Sequence, residues 1–259
     1  MINTRLLQIE SSETESVDAR VERVLGDLTT HAKACDVLVL PELWHIGAFS
    51  LAAVKLNSLH LDNPIFQQIA AIAAETDCWI HAGSFAIAAE SGKAANTALL
   101  FGPSGHIAAQ YRKQHLFGFA DGERTVIEAS NDAVVIDSPL GVTALTTCYD
   151  LRFPEQYRSL VDLGAETFLT CAGWPTPRIS HWEILNRARA IENQAWVIAC
   201  NGRGTHAGVT LGGNSLVISP KGEVVAQASP DDEYIDATID VSQVVEWRKN
   251  FPVLEDRIR

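Results

Sequence analysis

Three residues sit where short apolar runs give way to turns, and their types suit nucleophilic attack on a carbonyl. Cys148 ends the run Val142–Thr147 and precedes Tyr149-Asp150-Leu151-Arg152-Phe153-Pro154. A strand-to-turn position can aim a thiol into a cleft and turn backbone N–H groups toward the same spot. Glu42 follows Val37-Leu38-Val39-Leu40, and Pro41 ends that run. Sites in open α/β sheets collect beyond the carboxyl ends of strands. A carboxylate beside Leu43, Trp44 and Phe49 is placed for desolvation, which raises its pKa toward that of a useful base. Lys113 lies in Tyr111-Arg112-Lys113-Gln114-His115-Leu116-Phe117, and an ammonium can stabilise a developing oxyanion. Taken singly, Glu42 reads as a surface glutamate, Lys113 as part of a solvated basic face, and Cys148 equally as a nucleophile or an inert thiol.

Other chemistries find less support. The four remaining cysteines, at 35, 78, 171 and 200, lie in apolar or strand-like contexts, where inert core thiols are the common case. An odd count of five with no C-x-x-C pair fits neither a disulfide framework nor a structural zinc site. His45, His81, His115 and His181 have no metal-ligand spacing, and no G-x-S-x-G is present. No metal or cofactor is expected. The 20 Lys+Arg against 32 Asp+Glu leave a net charge of −12, which repels a phosphate backbone. Nucleic acid and anionic membrane are therefore not expected as partners. The apolar fraction of 47% argues against a disordered chain. With no apolar run long enough for a membrane helix and no apolar leader, the expectation is a reduced, cytoplasmic protein.

The elements that must hold these residues alternate between β and helical patterns. Leu6–Ile9, Val37–Leu40, Trp79–Gly83 and Val142–Thr147 read as strands. Val17, Val21, Val24, Leu25 and Leu28 recur at helical spacing, and Asn63-Pro64 opens a second helix. Further helices are expected after Pro154 and over Ile179–Gln194. Thr97–Phe101 and His106–Tyr111 flank Gly102-Pro103-Ser104-Gly105 and predict a hairpin. The segment Leu100–Gln110 is similar to Val217–Gln227 at an offset of 117, and Trp79 and Trp196 share that offset. Two α-β-β units packed sheet on sheet, with helices outside, would fit such a duplication. No linker divides the sequence, which predicts a single domain over 1–259.

Leu-Pro-Glu-Leu at 40–43, Tyr-Arg-Lys-x-His-Leu-Phe at 111–117 and Cys-Tyr-Asp-Leu-Arg-Phe-Pro-Glu at 148–155 occur in that order. Together they resemble the nitrilase superfamily of carbon–nitrogen hydrolases, over nearly the whole chain. The resemblance implies an α/β fold, an α-β-β-α sandwich of two mixed sheets with outer helices, and a homodimer or higher homo-oligomer. It implies a Glu–Lys–Cys triad at Glu42, Lys113 and Cys148. A second glutamate is expected at Glu123, with Glu128 as the alternative. The family pattern puts Lys113 and the Tyr149 N–H in the oxyanion hole.

Gly173–Arg178 with His181-Trp182, and Arg189–Trp196, are similar to the small amidase branch that contains ω-amidases. Tyr149 and Asp150 replace the Trp-Glu typical after the cysteine of true nitrilases, which argues for amide over nitrile substrates. The expected reaction is hydrolysis of a small aliphatic amide through a cysteine thioester, releasing ammonia, with 2-oxoglutaramate or 2-oxosuccinamate as substrate. Deaminated glutathione, an N-carbamoyl amino acid, or a non-catalytic binding role are the alternatives. A carboxylated substrate needs a local cation, expected at Arg178, with Arg203 as the alternative. Arg152 is expected to pair with Asp150 or Glu155. Phe117 and Trp174 are expected to wall the pocket, though either reads equally as core.

Overall fold

The computed structural model describes residues 1–258. Chain order runs β1 (Ile2–Leu7), β2 (Glu10–Ser12), α1 (Val17–Ala32), β3 (Val37–Val39), α2 (Leu51–Leu56), α3 (Pro64–Thr76), β4 (Trp79–Ala88), β5 (Ala94–Gly102), β6 (His106–Arg112) and β7 (Ile127–Glu128). It continues β8 (Val135–Ser138), β9 (Gly141–Thr147), α4 (Pro154–Asp162), β10 (Thr167–Ala172), α5 (Ile179–Asn193), β11 (Trp196–Asn201), β12 (Arg203–His206), β13 (Val209–Gly212), β14 (Leu216–Ile218), β15 (Val224–Gln227), β16 (Tyr234–Ile239) and α6 (Ser242–Asn250).

Two mixed sheets form the centre, in the orders β16-β1-β3-β4-β5-β6 and β15-β14-β11-β10-β9-β8. Successive residues of one strand feed different layers, as the period of two demands. Val37 and Val39 pack between the sheets against Leu145, Leu169 and Ile198, while Leu38 and Leu40 face α1 and α3. On the far side of the second sheet, Ala144, Phe168 and Val197 meet Tyr157, Leu160 and Trp182 of α4 and α5. The layers are thus helix, sheet, sheet, helix. This double burial explains why β3 reads as an unbroken apolar run.

The offset of 117 reappears in the register of the two sheets. Ile80 pairs Phe101 and Val197 pairs Ile218; His81 pairs Leu100 and Ile198 pairs Val217. Both hairpins carry a bulge at the matching step, Leu100/Phe101 and Val217/Ile218. Both turns close with the same bond, Gly105 N to Gly102 O at 3.0 Å and Gly222 N to Ser219 O at 2.9 Å.

Helix starts follow local chemistry. Ser16 caps α1 by accepting from Ala19 N at 3.2 Å, and Asn63 caps α3 by accepting from Ile65 N at 3.1 Å. The expected strand at Leu6–Ile9 lies earlier, at Ile2–Leu7. Its polar residues Asn3 and Arg5 hid it, but antiparallel pairing with β16 from Ile2↔Ile239 to Leu7↔Tyr234 enforces extended backbone. Beyond it, the buried Gln8 side chain donates to Ser229 O and Asp232 O and accepts from Ser215 N. Among the described residues no helix is long and apolar enough to cross a membrane.

Candidate active site

Four segments deliver the predicted residues to one place. Glu42 follows β3, Cys148 follows β9, Lys113 follows β6, and Glu123 stands in a short 3-10 helix after the Phe117–Gly122 loop. Glu42, Lys113 and Glu123 are buried, and Cys148 is 9% exposed. Lys113 Nζ donates to Glu42 Oε1 and to Glu123 Oε1, each at 2.8 Å. The charges of Glu42 and Lys113 both act on the Cys148 thiol, and all three residues line one cavity. Glu128 lies apart: it accepts from Ser91 Oγ at 2.5 Å and approaches Arg112 at 3.8 Å. Glu123, rather than the alternative, is therefore the glutamate beside Lys113.

The backbone around these side chains is specialised. Cys148 has φ +49°, in the left-handed region that L-residues seldom occupy, and it starts a 3-10 helix. The first N–H groups of a helix have no acceptor within it, and Tyr149 N–H is among them. Gly83 has φ +67°, and a Cβ there would lie 1.9 Å from Pro41 O. Only glycine allows β4 to pass this close to the Pro41-Glu42 turn. The next residue, Ser84, accepts from Leu43 N at 3.1 Å and holds the turn.

Charges within the cluster oppose burial. Burial by itself would depress the Lys113 ammonium, but Glu123 and Glu42 override it and hold its pKa well above the ordinary lysine value. Burial, partly offset by Lys113, lifts Glu123 above the usual carboxylate range. Burial first, then the Glu42 charge, holds the Cys148 thiol well above the ordinary cysteine value. The resting site thus contains a neutral thiol beside an ammonium.

A cavity of about 130 Å³ opens onto Cys148, with Glu42, Lys113 and Glu123 in its wall beside Ala48, Phe49, Leu51 and Phe117. A recess of about 20 Å³ shares Phe49, Phe117 and Cys148 and adds Tyr149, Arg152, Trp174 and Arg178. The Arg178 guanidinium sits 5.3 Å from the centre of the Phe117 ring. Trp174 serves both readings: it is 2% exposed, packs on Trp182, and lines the recess.

Two expectations about arginines need correction. Arg152 is not the partner of Asp150 or Glu155. Its guanidinium lies 4.8 Å from the centre of the Trp174 ring. Asp150 is fully buried and takes Tyr111 OH at 2.6 Å, Thr147 N at 2.9 Å, and both the backbone N and ring Nδ1 of His115 at 3.0 and 2.9 Å. Four polar atoms packed around a dry carboxylate leave a bulky guanidinium no place. Arg203 lies in a separate cleft of about 440 Å³ that contains none of the four predicted residues, and it pairs with Glu10 at 3.1 Å. Though larger, that cleft does not reach Cys148.

The sequence reading missed three positions. Asn96 Nδ2 donates to Glu42 Oε1 at 2.8 Å, and Gly173 N donates to Glu42 Oε2 at 2.9 Å. A polar residue inside the apolar run 94–101 was the available signal for Asn96. The third is Asp150, whose contacts tie the Cys148 segment to the Lys113 segment.

Residues 4–249 match the carbon-nitrogen hydrolase family. The chain belongs to this family. The hydrolase is 38% identical to a 2-oxoglutaramate amidase of Paenarthrobacter nicotinovorans, over 99% of this chain and 89% of that one. It is 39% identical to an omega-amidase of Escherichia coli (strain K12), over 85% of this chain and 84% of that one. Among solved structures it resembles a carbon-nitrogen hydrolase superfamily protein of Xanthomonas campestris with an arsenic adduct in its active site. There the TM-score is 0.90 and the identity 27%, covering 100% of this chain and 97% of that one.

Proposed function

We propose that this hydrolase is an ω-amidase, cleaving the terminal amide of a short 2-oxo dicarboxylic acid monoamide such as 2-oxoglutaramate or 2-oxosuccinamate. The observation that carries this reading is Cys148 between the Glu42–Lys113–Glu123 cluster and a recess holding Arg178. The relatives' names agree with it. The free volume of about 130 Å³ also selects. It is well under the ~300 Å³ at which drug-sized ligand pockets begin. A short acid amide suits that space better than deaminated glutathione.

In the proposed mechanism, Glu42 takes the Cys148 proton as sulfur attacks the amide carbonyl. A resting thiol held above its ordinary pKa makes proton removal and attack concerted demands on one base. Lys113 and the Tyr149 N–H receive the oxyanion; removing one such donor typically costs about 3–4 kcal/mol of transition-state stabilisation. Glu42 passes its proton to the departing nitrogen, ammonia leaves, and Glu42 then activates water to hydrolyse the thioester. Glu123 positions Lys113 and also accepts from Phe117 N at 2.7 Å. Phe117 and Trp174 wall the pocket, and Arg178 anchors the distal carboxylate. This acid–base set calls for no metal or cofactor, so a chelator should leave activity intact. Residues 1–259 would act as a single domain, in the cytoplasm, as a homodimer. Exposed Ile184 and Ile191 on α5 and Val224 and Val225 on β15 support a covered surface.

The test is kcat/KM on 2-oxoglutaramate, 2-oxosuccinamate, deaminated glutathione and N-carbamoyl-β-alanine. The two 2-oxo acid amides should lead, and Cys148→Ala should turn over none. A lead for deaminated glutathione or the carbamoyl compound would overturn the substrate. Turnover by Cys148→Ala would overturn the thioester.

A further inference from the structure

Outside the active site, two other thiols face one another. Cys35 and Cys78 are 43 positions apart, yet their Sγ atoms are 4.0 Å apart. Cys35 follows α1 and is half-buried; Cys78 follows α3 and is buried. Each precedes a strand, and those strands, β3 and β4, pair in parallel with Val37 opposite Trp79. Trp79 N donates to Asp36 O at 2.9 Å, so the sheet register itself brings the two sulfurs together. Cys35 Sγ also contacts His31 O at 3.6 Å, and Cys78 Sγ contacts Trp79 O at 3.3 Å.

We propose that Cys35 and Cys78 are a modification site: a dithiol that a hydroperoxide converts to a reversible disulfide, independently of Cys148. The sulfurs need approach by only about 2 Å to reach bonding distance. The half-buried Cys35 is the accessible partner and Cys78 the resolving one. The Cys78 contact, and more weakly the Arg5 charge, hold the Cys35 thiol below its ordinary value, which favours the thiolate that attacks peroxide.

The chemistry balances with hydrogen peroxide as oxidant. The Cys35 thiolate attacks one peroxide oxygen; an S–O bond forms, the O–O bond breaks, and hydroxide leaves, leaving a sulfenic acid. The Cys78 sulfur attacks the Cys35 sulfur; the S–S bond forms, the S–O bond breaks, and the departing hydroxide takes the Cys78 proton as water. Two thiols lose two electrons, and one peroxide becomes two waters. A small dithiol reverses the linkage by exchange.

The test treats the intact protein with dilute peroxide, blocks remaining thiols with iodoacetamide, and maps tryptic peptides. Cleavage after Lys33, Lys55 and Lys93 places Cys35 in peptide 34–55 and Cys78 in peptide 56–93. Cys148 falls in 125–152 and is followed separately. The expected product is 34–55 joined to 56–93, lighter than their sum by two hydrogens, released by dithiothreitol, and absent from Cys35→Ser. Both cysteines still alkylated after treatment, Cys35 carried on to sulfinic acid beside an alkylated Cys78, or Cys78 joined to a different cysteine would each overturn the proposal. The wild-type measurement needs no variant to fold.

Discussion

At the residue scale, the demanding placement is Glu42. Its two oxygens are held by three donors: Lys113 Nζ, Asn96 Nδ2 and Gly173 N. The proposed base, which collects a proton from sulfur and returns it to nitrogen, needs a fixed orientation. In that mechanism Asn96 supplies the orientation without joining the chemistry. Asn96→Ala should lower kcat by roughly 10–100-fold, the ~1.5–3 kcal/mol of a hydrogen bond to a charged group. KM should move little, because Asn96 does not line the cavity. Steady-state kinetics on 2-oxoglutaramate decide it; an unchanged kcat would remove Asn96 from the positioning set. Glu42, Lys113 and Cys148 were legible in the sequence only together, because their three strings occur in one order along the chain. Asn96 and Gly173 act through one side-chain amide and one backbone N–H, and their partner is 54 or more positions away. No local pattern records such a pairing.

At the element scale, the left-handed turn at Cys148 depends on Asp150. This residue lies in the same 3-10 helix and gathers donors from the Tyr111–His115 segment, so one carboxylate ties the Cys148 and Lys113 segments together. Tyr111 OH in turn receives Gln156 Nε2 of α4 at 2.8 Å. Asp150→Asn keeps the size but replaces one acceptor oxygen with a donor, so N–H meets N–H in a dry site. It should destabilise the protein by about 3 kcal/mol or more, and lower kcat with it. Tyr111→Phe removes three bonds, one to Asp150 and those from Gln156 Nε2 and Gln114 N, but leaves Asp150 its other donors, and should cost less, about 2 kcal/mol. Urea denaturation of both variants checks the order; equal midpoints would show that Asp150 does not organise the turn. The sequence offered Asp150 or Glu155 as the partner of Arg152, each within three positions of it. Proximity along a chain misleads where a turn sends neighbouring side chains to opposite sides.

At the scale of the whole molecule, the buried histidines set the acid limit. Burial lowers His45 to about 3, helped by the Arg20 charge, and His81 to about 4. In the unfolded chain both titrate near about 6.5. Below that value the unfolded state binds protons that the folded state refuses, so stability falls as pH drops. The window runs from about 6.5 down to about 4 for His81 and about 3 for His45. The urea midpoint should decline across it, and less steeply in His45→Phe, whose ring keeps the contacts with Trp44 and Phe85. Equal slopes in wild type and variant would exclude His45 as a source. The net charge of −12 belongs to this scale too. It leaves recognition of an anionic substrate to cations at short range, and Arg152 and Arg178 both stand at the recess beside Cys148.

The amino-acid sequence alone pointed to the layers, through the repeat of two α-β-β units and through what the resemblance carried by the three motifs implies. It also determined the chemical identities at 42, 113 and 148, and the 117-residue repeat that the sheet register reproduces. The tertiary structure decided which glutamate joins Lys113, since Glu123 and Glu128 differ only in what their backbone path reaches. It decided that Asp150 braces two loops, that Arg203 belongs to another cleft, and that Cys35 meets Cys78. Each of these depends on distance in space between segments far apart in the chain, which only the folded register of the sheets sets.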